Sequence, residues 1–290
     1  MRENLRYRLY WCVCRLAACC SMRMLHALSS VIYLCLYHIG RYRIKIVRAN
    51  LRSSFPDKSG QELLEIEKGF YRHLCDTIVE SIKLLNISDE QLSSRIKVLN
   101  AEIVEEIAAA GRPIMLFTAH LGNWEWVPVI QYHYSNPKVS AEIYKPQRDA
   151  AFNRLMKTVR SRFDSLMIPQ HSAYRDILQL RNDNGTFIVG FVADHRSNSA
   201  ATHHRVQFLN HTTPTETGAE RIGVKVNAEF LYLDITKTGR GRYEFAFKRI
   251  IPAEGEDSFP YTTAYYKLLE QNILRQPHLW LWSHRRWLYE

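Results

Sequence analysis

Residues 113–126 read PIMLFTAHLGNWEW. The opening PIMLFTA is an uncharged apolar run of strand length, the pattern of a strand buried on both faces. Downstream, strands alternate with helices. VSAEIYKP reads as a strand, RDAAFNRLMKTVRSRF as a helix and SLMIP as a short strand. AYRDILQLRND is a helix and GTFIVGFVAD the most apolar strand of the chain. A polar loop, RSNSAATHHR, leads to a helix in PTETGAERIGVKVN and a hairpin in AEFLYLDITKTGRGRYEFAFKRI. A last helix, YTTAYYKLLEQNILRQP, precedes HLWLWSHRRWLYE. This alternation predicts an α/β fold, a single domain with a largely parallel central sheet covered by helices.

Upstream of the strand, apolar residues recur at helical spacing through Leu63, Leu64, Ile66, Phe70, Leu74, Ile78, Ile82 and Leu85. Pro56 and Gly60 mark the turn before that helix, and Ser59 is its expected cap. With 290 residues the chain has enough interior for one large core, and it shows no internal repeat or linker.

Lys and Arg number 39 against 29 Asp and Glu, a formal charge of +10. Such a surplus attracts polyanions: nucleic acid, anionic head groups, phosphorylated substrates or an acidic carrier protein. Five of the six cysteines (Cys12, Cys14, Cys19, Cys20, Cys35) fall in the first 35 residues. Their spacing matches no structural zinc pattern, so they read as small reduced hydrophobes, as does Cys75 on the apolar helix.

From Leu9 to Gly40 the chain is largely apolar, interrupted by Arg15 and Arg23. Its longest stretch without Asp, Glu, Lys or Arg, Met24 to Gly40, has 17 residues, at the lower limit for crossing a bilayer. Residues 1–42 are expected to form a membrane-associated helical segment, either a short span or a helix pair lying in the interface with arginines at head groups. The alternative is an amphipathic pair packed on the body of the protein.

The corner after the strand concentrates chemistry. In open α/β sheets, ligands gather beyond the carboxyl ends of strands, and His120 stands just past PIMLFTA. Gly122 permits a sharp turn, and Glu125 falls in the first turn of a helix expected from about Asn123, where the dipole favours a carboxylate. Glu125 would fix the tautomer of His120, leaving the other ring nitrogen to act as general base. A core histidine held by a helix-start glutamate fits the same spacing.

His120 followed by Glu125 resembles the acyltransferase signature of a histidine and an acid separated by four residues. AHLGNWEW resembles the late lipid A acyltransferases, a branch of the glycerolipid acyltransferase superfamily. The resemblance continues through RYRIKIVRANLRSSFP, YKPQRDAAFNRLMKTVRSRF, FVADHRS, TETGAERIGVK and WLWSHRRW, so it spans nearly the whole chain. It implies that residues 43–290 are the acyltransferase domain, with His120 the base and Glu125 its partner. Arg160, Asp194 and Asn123 are the expected substrate-binding or oxyanion residues. His195 departs from the family pattern, which has glutamine after the aspartate. The resemblance also implies acyl carrier protein as donor, a phosphorylated glycolipid as acceptor, and a bacterial inner-membrane location with the active site on the cytoplasmic face. No cofactor, metal or nucleic acid is implied. Acceptors such as another glycolipid or a lysophospholipid, and thioester hydrolysis, are the competing readings.

His195, His203, His204 and His211 form a histidine-rich stretch, but their spacing matches no standard metal site, and a solvated loop at the active-site rim is expected. No G-x-S-x-G elbow, Walker loop or G-x-G-x-x-G follows a strand. WLWSHRRW is expected to pack the last helix and offer Arg285 and Arg286 to phosphates, or else to form a capped core tail.

Overall fold

The computed structural model describes residues 2–146, 149–194, 204–252, 255 and 257–287. Helices α1 (Arg2–Cys19), α2 (Met22–Tyr33), α3 (Ile44–Ser54), α4 (Gly60–Lys83) and α5 (Asp89–Ser93) come first, with a π-helical turn, Leu34–Ile39, continuing α2. Then follow β1 (Ile96–Leu99), α6 (Glu102–Ala109), β2 (Ile114–Thr118), β3 (Ser140–Tyr144), α7 (Ala150–Arg160), β4 (Leu166–Pro169), α8 (Ala173–Asn184) and β5 (Ile188–Val192). The chain continues with β6 (Arg205–Phe208), β7 (His211–Pro214), α9 (Gly218–Lys225), β8 (Glu229–Gly239), β9 (Arg242–Arg249) and α10 (Pro260–Arg275).

Seven strands form one sheet in the order β1-β9-β8-β2-β5-β3-β4. Strand β2 lies inside it, parallel to both β5 and β8, and all five of its residues are buried. Strands β3 and β4 continue the parallel set. The β8–β9 hairpin is antiparallel and β1 pairs parallel to β9, so this edge runs against the rest. The α/β expectation with a mainly parallel sheet is met. Strand β1 and helix α6 had no reading in the sequence, and both are short.

Register sets the working end of the sheet. Phe117 pairs with Tyr232, so the eleven-residue β8 runs on past the end of β2, carrying Lys237 and Gly239 beyond it. The ends of β2, β5 and β8 therefore share one side. After α10, a 3-10 turn at Pro277–Leu279 brings the chain back along that side. There Leu121 bridges Trp280 in antiparallel fashion, Gly122 N–H donates to Leu279 O at 3.1 Å, and Leu281 N–H donates to His120 O at 3.0 Å.

Ser59 caps α4 as expected: its hydroxyl accepts from Glu62 N–H at 3.3 Å, and the Glu62 carboxylate accepts from Ser59 N–H at 2.8 Å. The regular helix expected from Asn123 is instead a 3-10 helix, Trp124–His133, containing Pro128, which has no N–H to donate to an α-helical ladder. Part of the polar stretch before α9 forms the hairpin β6–β7, whose turn residues Leu209 and Asn210 have φ of 50° and 64°. Positive φ at both central positions suits the twist of a two-residue hairpin.

No helix among the described residues is long and apolar enough to cross a membrane. Met24 to Gly40 is two-faced rather than apolar all round: Leu25, Ser29, Tyr33 and Tyr37 are buried against the body, while Met24, Leu28, Val31 and Leu34 are exposed. Helix α1 exposes Leu5, Leu9, Val13 and Leu16 along one face. Its far end is fastened where Lys83 Nζ donates to Ala18 O at 2.8 Å and Cys20 O at 2.9 Å. The expectation of a short span gives way to amphipathic helices packed on the domain.

Candidate active site

Parallel pairing brings the first two groups together. Thr118 pairs with Val192, and Ala193 N–H donates to Thr118 O at 3.0 Å, so two residues further on His120 faces Asp194. His120 Nδ1 lies 2.7 Å from Asp194 Oδ1. Asp194 Oδ2 accepts from His120 N–H at 3.1 Å and from Trp280 Nε1–H at 2.8 Å. The Asp194 carbonyl accepts from Arg286 Nη1. A carboxylate can only accept, so Nδ1 carries the ring hydrogen and Nε2 is the basic nitrogen.

Helix α10 braces both strand ends. Tyr265 OH donates to Thr118 O at 2.9 Å and Tyr266 OH to Ala193 O at 3.2 Å, while Arg286 Nη2 donates to Tyr266 OH at 2.7 Å. The Asp194 side chain is 3% exposed and that of His120 is 17% exposed, so the acid is sealed while the imidazole reaches the surface. Trp124 meets the His120 ring edge-on at 5.3 Å.

The expected His120–Glu125 hydrogen bond is not the one formed among the described residues. Glu125 instead makes a two-point pair with Arg160 at the end of α7: Nε to Oε2 at 2.9 Å and Nη2 to Oε1 at 2.6 Å. The 3-10 turn after Asn123 and the approach of α7 give the carboxylate a nearer and permanently charged partner. Burial works against the Arg160 charge, but Glu125 and Glu142 override it and raise its pKa. Arg160 Nη1 has no hydrogen-bond partner among the described residues. Glu142 on β3 has Oε1 buried with no hydrogen-bond partner among the described residues. Burial pushes its carboxyl up to about 7, with Arg160 opposing and Glu125 adding to the rise.

Asn123 is fully buried, and its Nδ2 donates to Glu80 at 2.8 Å. Through that contact it braces the loop from behind. The same carboxylate accepts from Tyr243 OH at 2.8 Å and lies 3.1 Å from His26 Nε2. Gly122 has φ +61°, and a Cβ there would lie 2.4 Å from Ile235 Cγ2, so the turn presenting His120 requires glycine.

Arg286 and Trp280 are groups that sequence reasoning did not assign to this site. Arg286 is 2% exposed, so it is a core residue and not a cation offered to phosphates, whereas Arg285 is exposed. Only the strand-like pairing of residues 280 and 121 could have flagged them, and that pairing is tertiary. His195 and His203 lie outside the described residues. His204 and His211 are fasteners rather than a solvated rim: His204 sits 2.7 Å from Thr215 Oγ1 and 3.1 Å from Asp257, and His211 stacks on Trp287 at 4.0 Å.

The site is thus a histidine–aspartate pair at adjacent strand ends, with an arginine–glutamate pair on the segment that follows. It can take a proton at His120 Nε2 and offer positive charge at Arg160. No curated protein matches the chain. A family model described as bacterial lipid A biosynthesis acyltransferase matches residues 2–289. The chain belongs to that family and is an acyl-transferring enzyme of lipid A biosynthesis.

Proposed function

We propose that the protein transfers a fatty acyl chain from an acyl thioester, carried by acyl carrier protein, to a hydroxyl of a phosphorylated lipid A precursor. The observation that carries the mechanism is the 2.7 Å contact between His120 and Asp194 at neighbouring strand ends. His120 Nε2 removes the acceptor proton as the oxygen attacks the thioester carbonyl, forming a C–O bond and a tetrahedral oxyanion. Collapse breaks the C–S bond, and the departing sulfur takes the proton back from the imidazolium. The products are an ester and a free thiol, with no covalent enzyme intermediate, because a thioester is already activated.

Asp194 is the orienting acid in this reading, a role expected of Glu125 from the sequence. Arg160 Nη1 offers charge to the oxyanion or to an acceptor phosphate, and Glu125 holds that guanidinium in place. Preorganised donors at a developing oxyanion are worth about 3–4 kcal/mol.

Membrane association is assigned to the exposed apolar faces of α1 and α2, with exposed Arg23 on α2 and exposed Arg41 just past the π-helical turn beside them. The site would work at the cytoplasmic face of the inner membrane, where a charge of +10 suits an acidic carrier protein.

The test is acyl transfer by the purified chain, with acyl carrier protein thioester and a lipid A precursor, beside mass spectrometry of lipid A from cells with and without the protein. Loss of one secondary acyl chain supports the reading. Unchanged lipid A with altered phospholipids moves the acceptor to another lipid, and fatty acid released without acceptor dependence means hydrolysis.

A further inference from the structure

The carboxyl end of the sheet has a second polar feature. The overhanging end of β8 and its turn into β9 face α2 and α4 across an open cleft of about 670 Å³. Arg72, Lys237 and Arg240 line it against one carboxylate, Asp76, among the described residues. Asp76 is shared: Arg240 Nε lies 3.0 and 3.1 Å from its two oxygens and Lys237 Nζ 3.4 Å from Oδ2. Burial alone would raise the Asp76 carboxyl, but hydrogen bonds from Arg240 and Ser29 and the charge of Lys237 hold it below the usual range. Arg72 lies 5.3 Å over the Tyr33 ring and forms no ion pair among the described residues. Three cations face this carboxylate, and a second, Glu80, lies buried behind the wall where it feels the charge of Lys237, so one positive charge is left over at the cleft.

Its histidines add none. His73 is pushed down to about 3 by burial and by Lys237, and its neutral ring is used at both ends: Nε2 donates to Gly122 O at 3.2 Å and Nδ1 accepts from Lys237 at 3.3 Å. Burial lowers His278 likewise. Ser30 and Thr238 add hydroxyls to the lining. A surplus of charge, an unpaired guanidinium and neutral donors make a site for phosphate oxygens rather than for an uncharged sugar. Leu34 lines the cleft and is 53% exposed beside the exposed Val31, so the opening adjoins the apolar stripe of α2.

We propose that this cleft binds a phosphate group borne by a lipid, and that the lipid is the glycolipid acceptor, an assignment that rests on the function proposed above. His73 joins the cleft wall to Gly122, two residues beyond His120, so a phosphate seated there anchors the acceptor beside the loop that carries the base.

Two measurements on the full chain in detergent test this, with wild type, Arg72→Gln and Arg72→Lys. The first is kcat/KM on the phosphorylated acceptor relative to the same glycolipid dephosphorylated. That ratio is expected to fall about tenfold in Arg72→Gln, mainly through KM, and less in Arg72→Lys. An unchanged ratio overturns the acceptor assignment. The second does not require turnover: co-sedimentation with phosphatidylcholine vesicles, with and without phosphatidic acid, in the presence or absence of inorganic phosphate. Wild type retained by phosphatidic acid more strongly than Arg72→Gln supports the cleft, and equal retention overturns it. Release by inorganic phosphate at concentrations matching the lipid's would overturn the lipid-borne source. If acyl transfer to the lipid A precursor is absent while the vesicle difference persists, the catalytic reading fails and phosphate binding stands.

Discussion

Asp194 and His120, 74 positions apart in the chain, sit 2.7 Å apart because β2 and β5 run parallel and end at the same level. The acid's Oδ1 holds the imidazole and its Oδ2 accepts from the His120 backbone N–H, so one carboxylate sets both tautomer and ring position. Trp280 and Arg286, from the far end of the chain, hold that acid in turn.

Asp194→Asn is therefore expected to lower kcat by about 10²–10⁴-fold with little change in KM, since it leaves the imidazole in the wrong tautomer. Trp280→Phe, which removes one donor to Oδ2, is expected to cost about tenfold. Steady-state kinetics checks both. An Asp194→Asn enzyme with near wild-type kcat would remove the acid from the mechanism.

Glu125→Gln is expected to act first on stability and on the placement of Arg160, with a smaller loss of kcat than Asp194→Asn. Removing one partner of a largely buried pair costs about 2–4 kcal/mol here, below the fully buried limit because the Arg160 side chain is 24% exposed. The double variant Glu125→Gln/Arg160→Gln should lose less than the sum of the two single losses in chemical denaturation. Additive losses would mean that the pair contributes no coupling.

Glu142 gives a pH test. Its carboxyl rises from 4.5 unfolded to about 7 folded. Between those values the folded protein holds a proton that the unfolded chain has released, so the group's contribution to stability declines as pH rises through that window and stays low above it. Glu142→Gln should then stabilise the protein by about 1–3 kcal/mol at pH 8 and change little near pH 4.5. Denaturation midpoints at the two pH values check this. Equal effects at both would show that the carboxyl is not the titrating group.

Gly122→Ala forces a side chain onto a backbone at φ +61° and into Ile235. The expected cost is about 1–3 kcal/mol of stability, with a fall in kcat because the same turn presents His120. Thermal denaturation and turnover of the same preparation test it. A variant unchanged in both would show the turn tolerates a Cβ.

Local chemistry was readable along the chain. PIMLFTA reads as a buried strand because a continuous apolar run has nowhere else to go, and Ser59 reads as a cap because capping involves groups three residues apart. His120 at a strand end, and a glycine after it, follow from the same short-range rules. Asp194 ended the most apolar strand and was assigned to the site, but its role was not readable. Which acid meets the imidazole depends on register between β2 and β5, and on α7 bringing Arg160 to Glu125 first. Asn123 reads as a donor from its place in the loop, but that its amide meets a buried Glu80 from α4 is decided by packing. In the N-terminal segment, composition showed apolar helices. Only packing, of α2 against α4 and of α1 against α7 and α4, decided which side of them is core and which is left exposed, because helical faces are assigned by what lies beside them.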